Sequence, residues 1–326
     1  MRVLVTGATG KVGQAFVARF LGDPRWDGAS VRALCHNRTL PAAPRLEVVR
    51  GSISDRDVVE AAMDGVTHVV HMATVKEDPA LAMDVSVKGM FHLLEAFRQS
   101  PTAEQFVLIG GDCVVGHILV HYDAPITETS PRRPYPGVYA LSKVLEEVML
   151  EQYFTQYGIN GVTLRAPWIM EKDDFRYVLS FGDDQFGGPA WETLISPAER
   201  RLHAASGKIP ILLDAKGATL KRNFVHVSDL VEAMLAVIDN PAAHQQLFNI
   251  AMTDPVDYGA VSRHLKETRG IDGVRIPAPF HSNILDNAKA RHLLGWMPKY
   301  GTEALVDAAF SYQRAPDDVR KVWYVG

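Results

Sequence analysis

The sequence predicts an α/β chain built on a doubly wound parallel sheet, and three observations predict it. An apolar strand, Val3-Leu4-Val5, runs straight into the glycine turn Gly7-Ala8-Thr9-Gly10-Lys11-Val12-Gly13. Short apolar strands then alternate with helices through the first half of the chain, the order that a parallel sheet with helical crossovers requires. After Arg165 the alternation stops, and residues 171–221 become rich in Asp, Gly, Pro and aromatic residues with weak periodicity.

Taken in order, the spacing places strands near residues 2–6, 31–35, 46–50, 67–71, 105–110 and 161–165, with helices near 11–22, 55–63, 79–98 and 139–157. The first helix shows its apolar spacing in Lys-Val-Gly-Gln-Ala-Phe-Val-Ala-Arg-Phe-Leu-Gly, residues 11–22. The fourth carries Leu141, Val144, Leu145, Val148 and Met149, with Glu146, Glu147 and Glu151 between them. A further helix runs from about Ser228 to Asp239, beyond the irregular stretch, and no internal repeat or low-complexity tract interrupts the chain.

The glycine turn carries specific chemistry. A buried strand ending at Thr6 delivers the chain to a turn whose glycines allow positive φ and close backbone approach, and the amides opening the next helix then hold a pyrophosphate. Gly13 lets that helix pack tightly on the strand. A glycine turn alone can be structural. Its place at residue 7, between a strand and an amphipathic helix, reads as a dinucleotide site.

A second pattern lies in mid-chain at Tyr139-Ala140-Leu141-Ser142-Lys143. Residues four apart share one helix face, and a lysine there lowers the cost of forming a tyrosinate, whose free pKa of about 10 makes it a poor base near neutrality. The pair reads as a proton-transfer couple; the plain alternative is an exposed lysine beside a packed tyrosine.

Composition sets bounds on these readings. With 326 residues, 47% hydrophobic and 22% charged, the chain can bury one extended core or two smaller ones. A net charge of -4 gives no electrostatic case for nucleic acid, and Arg200-Arg201 and Lys221-Arg222 read as solvated faces or a single anion contact. Cys35 and Cys113 offer no disulfide framework, which fits a reducing cytoplasm. Met1-Arg2 leads directly into a core strand, so no signal peptide is expected, and no apolar run approaches about 18 residues, so no membrane span is expected.

With these patterns the chain resembles the extended short-chain dehydrogenase/reductases, in particular the NAD-dependent epimerase/dehydratase group, over nearly its whole length. Further marks of the resemblance are His71-Met72-Ala73, Gly89, Phe106-Val107-Leu108, the run Arg222-Asn223-Phe224-Val225-His226-Val227-Ser228-Asp229-Leu230, Phe248-Asn249-Ile250 and Lys289-Ala290-Arg291-His292-Leu293-Leu294-Gly295-Trp296. It implies a Rossmann domain from residues 1–165 plus about 222–248. A smaller, interleaved substrate-binding lobe would come from about 166–221 plus 249–326, over the sheet's carboxyl edge. It also implies NAD(P)-dependent hydride transfer on a sugar, sugar acid or sugar nucleotide, with Tyr139 moving a hydroxyl proton and Lys143 holding the nicotinamide ribose. Epimerisation or dehydration follows if the cofactor is regenerated in place, and dehydrogenation or ketone reduction if it is released.

The residues expected at the cofactor are Gly7, Thr9, Gly10, Lys11, Val12 and Gly13 at the cradle, Ser52 and Ile53 flanking the adenine, Met72, Ala73 and Thr74 along the cleft, and Pro167, besides Tyr139 and Lys143. At the end of the second strand the acid that selects NAD is missing, while His36, Arg38 and Lys11 are placed for a 2′-phosphate. The residues lean to NADP; the alternative is that Asn37 or Cys35 contacts the ribose and Arg38 is solvated.

Departures from the family bear on the substrate. Gly111 stands where members carry a Ser or Thr that hydrogen-bonds the reacting oxygen, leaving Asp112 or Cys113 to substitute. Asp112 reads as a general acid or, alternatively, as a turn cap after the strand. Trp168 replaces an Asn of the nucleotide-sugar members, whereas Arg222 keeps the arginine that pairs with a diphosphate, or else makes an interdomain salt bridge.

Other groups are expected to carry no chemistry. His117 and His121, four apart in a Val-rich stretch, are not read as metal ligands, and Glu171, Asp173, Asp174, Asp183 and Asp184 read as solvated loop charges. Phe181, Phe186 and Trp191 are pocket walls or the lobe's core. Relatives pair through helices corresponding to residues 79–98 and 139–157, which implies a homodimer using residues such as Leu81, Val85, Phe91 and Leu150. Rival readings are a reductase of a non-sugar carbonyl and a non-catalytic, redox-responsive NAD(P)-binding regulator.

Overall fold

The computed structural model describes residues 1–318. In chain order its sheet-forming half comprises β1 (Arg2–Thr6), α1 (Lys11–Leu21), β2 (Ser30–Cys35), β3 (Leu46–Arg50), α2 (Arg56–Ala62), β4 (His68–His71), the single turn α3 (Pro79–Leu81), α4 (Gly89–Gln99), β5 (Gln105–Gly111), α5 (Val138–Tyr157) and β6 (Gly161–Ala166). The second half adds β7 (Trp168–Met170), α6 (Asp174–Val178), α7 (Pro197–Ala205), β8 (Ile209–Leu213), β9 (Lys221–Arg222), β10 (Phe224–His226), α8 (Val227–Val237) and β11 (Gln246–Asn249). It closes with β12 (Val256–Asp257), α9 (Tyr258–Arg269), β13 (Gly273–Pro277), α10 (Ala288–Leu294) and α11 (Thr302–Ser311).

Seven strands form one sheet in the order β11-β6-β5-β4-β1-β2-β3, every pair parallel. The strand order reverses between β1 and β4, so the crevice outside their carboxyl ends is the ligand position that a doubly wound sheet offers. The six expected strands are all present. β11, at the edge beside β6, is the one the strand pattern did not give.

Both faces of the sheet are covered, which is why its central strands β1, β4 and β5 are largely apolar. Phe16 and Phe20 of α1, Leu230 and Met234 of α8, and Trp296 after α10 pack with Val5 and Val31 on one face. Leu4, Val69, Phe106 and Leu108 meet Met90 and Leu93 of α4 and Leu150 of α5 on the other. Trp296 Nε1 donates to the carbonyl of Asp229 (2.9 Å), so α8 and the segment after α10 both lie on the sheet.

Helix 79–98 differs from its expected form: a π-helical stretch, Ala82–Lys88, separates α3 from α4. Its buried Ser86 accepts the amide of Val75 (3.1 Å), anchoring the segment that leaves β4. At the start of α4, a Cβ on Gly89 would lie 2.5 Å from Ile53 Cγ1, so only glycine lets the helix seat on Ile53. Leu150 is fully buried in the core and is not available for a dimer contact, whereas Leu81, Met83, Phe91, Leu141 and Val148 are exposed.

The lobe has its own core of Phe175, Trp191, Phe224, Tyr258 and Leu305, with β7 paired to β10, β8 to β13 and β9 to β12. Phe181, Phe186 and Trp191 belong to that core. Asp173 and Asp174 are not solvated loop charges: both are buried, paired with Arg314 and Lys11. α7 opens on a capping box between Ser196 and Glu199, a signal legible in Ser196-Pro197-Ala198-Glu199. Among the described residues no helix is long and apolar enough to cross a membrane.

Candidate active site

The cradle is set by backbone contact. Gly7 has φ +67°, and a Cβ there would lie 2.7 Å from the carbonyl carbon of Met72; a Cβ on Gly13 would lie 2.3 Å from the Gly7 oxygen. Side chains at either place would force the turn off the sheet. α1 starts at Gly10 with no side-chain cap and no acidic residue in its first turn, so its leading N–H groups suit an anion. This is a fit to a pyrophosphate. Thr6 Oγ1 ties the two strand ends of the crevice together, accepting from Met72 N (3.2 Å) and Ala73 N (3.3 Å) and bonding His71 Nδ1 (2.7 Å). Burial, with Lys143 nearby, pushes His71 down to about 3 and keeps it neutral.

Around that turn, Thr9 offers its carbonyl to Gln14 Nε2 (2.7 Å), Val12 packs on the sheet core and Pro167 is buried between β6 and β7. Ser52 Oγ bonds Ser54 Oγ (2.8 Å), and Thr74 Oγ1 bonds Ser86 Oγ (3.4 Å). His36 and Asn37 are exposed at the end of β2, with Arg38 beside them. Lys11 departs from its expected place. Its ammonium pairs with Asp174, donates to the carbonyl of Ile169 (3.1 Å) and lies 4.7 Å from the Phe186 ring, so it ties the cradle to the lobe.

At the other end of the crevice, Tyr139 sits in the first turn of α5, whose leading amides at Val138 and Tyr139 are accepted by Glu77 Oε2 (2.9 and 3.4 Å). The Tyr139 oxygen is 3.7 Å from the point where Gly111 would carry a Cβ. Lys143 Nζ, one turn on, donates to the Ile109 carbonyl (3.1 Å) and to Glu146 Oε2 (2.7 Å). Burial pushes Glu146 up to about 7 against the pull of Lys143. The expected lowering of Tyr139 is reversed in this arrangement: burial first, then Cys113, Tyr135, Glu146 and Asp112, holds the phenol well above 10. Lys143 meanwhile spends a donor on Glu146. The ammonium nearest the ring belongs to Lys76, 3.9 Å from the Tyr139 centroid, and burial draws it down to about 8.

Beyond Gly111 three side chains join in a buried line. Asp112 Oδ2 meets His117 Nδ1 at 2.5 Å, and Arg222 Nε donates to His117 Nε2 at 2.9 Å. Arg222 Nη1 donates to the Gly187 carbonyl (2.6 Å), and its guanidinium lies 4.9 Å from the Trp168 ring and 5.1 Å from the Phe224 ring.

The sequence profile of the NAD dependent epimerase/dehydratase family matches residues 3–251. The chain belongs to that family. It is 26% identical to the UDP-glucose 4-epimerase of Streptococcus mutans over 98% of this chain and 99% of that protein. It is 26% identical to a 3 beta-hydroxysteroid dehydrogenase/Delta 5-->4-isomerase of Mycobacterium tuberculosis over 95% of this chain and 90% of that one. The fold is shared with a short-chain dehydrogenase/reductase superfamily protein of Agrobacterium tumefaciens crystallised with bound NAD, at a TM-score of 0.77 and 22% identity over 95% of this chain and 96% of that chain.

This member of the NAD dependent epimerase/dehydratase family is therefore an enzyme with a dinucleotide site, and its departures can be located. Cys113 is buried beside Gly111, and burial pushes its thiol up to about 12, so it is no base at neutral pH. Asp112 is no mere turn cap, since one of its oxygens is spent on His117. His117 and His121 are not gathered: His121 Nε2 bonds Asp123 Oδ1 (2.9 Å). Lys76, Glu77 and Glu146 escaped sequence reasoning. The signal for Glu77 was the glycine preceding α5, which has no side chain to cap the helix. At the opposite edge of the sheet, ligand atoms of His68, Glu104 and Asp239 lie within 4.8 Å of one another, and the hydrogen bond from His68 to Asp239 (2.8 Å) accounts for their approach.

Proposed function

We propose that the protein oxidises or epimerises a secondary hydroxyl-bearing carbon of a sugar, sugar acid or sugar nucleotide, with Tyr139 as the proton-transfer residue. The observation that carries this reading is the approach of the Tyr139 oxygen to the end of β5, at the same sheet edge as the glycine cradle. A bound nicotinamide supplies the acceptor for the hydride of the carbinol carbon. Tyr139, once its own proton has been released to solvent, takes the hydroxyl proton as that hydride leaves, and the Lys76 ammonium over its ring stabilises the phenolate. Lys143, fixed by Ile109 and Glu146, turns its remaining donor capacity toward the ribose. Asp112 takes the place of the hydroxyl missing at Gly111, with Trp168 and Arg222 bounding the substrate on the lobe side.

A sugar is favoured over an apolar carbonyl compound because, of the aromatic residues in 168–191 that would suit the latter, Phe175, Phe181, Phe186 and Trp191 are buried in the lobe's core. A non-catalytic regulator has no use for a tyrosine set at the reacting position. For the dinucleotide we assign NAD: the lean to NADP rested on a missing acid after β2 and on three cations, of which Lys11 is held by Asp174, and the related Agrobacterium tumefaciens protein was crystallised with NAD. Two buried free thiols, Cys35 and Cys113, support a reducing, cytoplasmic setting.

The experiment is to denature freshly purified protein and identify the released dinucleotide by mass and absorbance, then to titrate the emptied protein with NAD and NADP. Retained NAD is expected, given the tie from Lys11 to the lobe; a protein that is empty and binds neither overturns the reading. The exposed Leu81, Met83, Phe91, Leu141 and Val148 support a homodimer through the segment 79–98 and α5. Sedimentation at micromolar concentration is expected to read a dimer, and a monomer alone refutes it.

A further inference from the structure

We propose that His117 is a positioning residue that couples the Asp112 carboxylate beside the reacting carbon to the Arg222 guanidinium at the lobe through one fixed imidazole tautomer. The proposal rests on the functional reading above in treating Asp112 and Arg222 as substrate-facing.

The tautomer follows from the donors. Arginine nitrogens only donate, so His117 Nε2, which receives Arg222 Nε at 2.9 Å, must be the bare nitrogen. The ring proton then sits on Nδ1 and is donated to Asp112 Oδ2 at 2.5 Å. Donation runs one way along the line, from Arg222 through His117 to Asp112. The charged groups facing the ring are Asp112 from its own segment and Arg222 from β9. Protonating Nε2 would set its N–H against the Arg222 N–H, so the ring stays neutral; its burial acts in the same direction.

The backbone holds the ring in place independently of those two side chains. His117 adopts φ +50°, rare for a residue with a Cβ. Its carbonyl accepts Asn283 Nδ2 at 2.7 Å, and its amide donates to the Asp112 carbonyl at 3.2 Å. On the far side the Gly187 carbonyl and the Trp168 ring fix the Arg222 plane. A shift of Arg222 toward an anionic substrate group is thus transmitted to the Asp112 carboxylate, whereas a simple tether between lobe and sheet would move kcat and KM together.

Two variants separate the halves of the line. His117→Asn keeps a donor at the Nδ1 position and tolerates the positive φ, but does not reach Arg222; His117→Gln keeps an acceptor at the Nε2 position and loses the donation to Asp112. With the sugar substrate identified by turnover, His117→Asn is expected to raise KM about tenfold with kcat held within about threefold, and His117→Gln to lower kcat about tenfold with KM held. Equal losses of kcat and KM in both variants, or none in either, overturn the proposal. A measurement that needs no substrate stands beside it: in ¹⁵N-resolved spectra of the wild-type protein the His117 proton is expected on Nδ1, with no titration from about pH 5.5 to 9. A proton on Nε2, or titration in that range, overturns the proposal whatever the enzyme acts on. Failure of the hydride-transfer reading leaves that spectrum unchanged, so the two failures are told apart.

Discussion

Tyr139→Phe is expected to lower turnover by about 10²–10⁴-fold while leaving dinucleotide affinity unchanged. The phenyl ring keeps the packing of Tyr139 against Lys76 and in the first turn of α5, so the loss isolates the hydroxyl. Because burial holds the phenol well above 10, the resting group is protonated. It becomes a base only as a substrate hydroxyl and the nearby ammonium groups stabilise the charge. In the oxidative direction activity should therefore climb with pH, and the residual activity of the variant should lose that climb. Steady-state rates with a fluorescence titration of the dinucleotide read both quantities. Full turnover at unchanged affinity would remove Tyr139 from the mechanism.

How far this site could be read from the sequence depends on the distance over which each contact forms. The cradle and the Tyr139–Lys143 spacing are local patterns, fixed by one turn and one helix, and the structure puts them where the periodicity placed them. Strands buried on both faces are apolar runs and were legible, as was the partly exposed edge strand β3 with its Val48-Val49 pair; β11 is only four residues long and left no clear run. The errors concern charge. Lys11 was read as a phosphate ligand because it lies in the glycine turn, yet its partner Asp174 is 163 residues away on the lobe. His117 was weighed only beside His121, as a metal ligand to be discounted, because its partner Arg222 lies 105 residues on. In both cases the lobe supplies the partner, and the irregular stretch that builds the lobe carries too little periodicity to predict which of its side chains return to the sheet.

The second large effect is on stability, and it explains how α5 is held. Glu147 lies on that helix one residue past Glu146, and its carboxylate accepts Arg165 Nε (3.1 Å) and Nη2 (2.9 Å) from β6, both side chains being almost wholly buried. Arg132 Nε adds a third bond (3.1 Å). Gly110 leaves room beside this pair: a Cβ there would lie 3.2 Å from Thr163 Cγ2 and 3.3 Å from Glu147 Oε1, a tight fit. Arg165→Met is expected to cost about 3–5 kcal/mol, because it leaves a buried carboxylate with Arg132 alone. The double variant Arg165→Met with Glu147→Leu should recover most of that loss, since a well-packed apolar pair carries no desolvation penalty. Urea unfolding of the two proteins measures the difference. Equal destabilisation of single and double variants would mean that packing volume, not the ion pair, joins α5 to β6. Recovery would mean that the pair's charge is dispensable for stability, and that Tyr139 and Lys143 are held in place by the seating of α5 on the sheet.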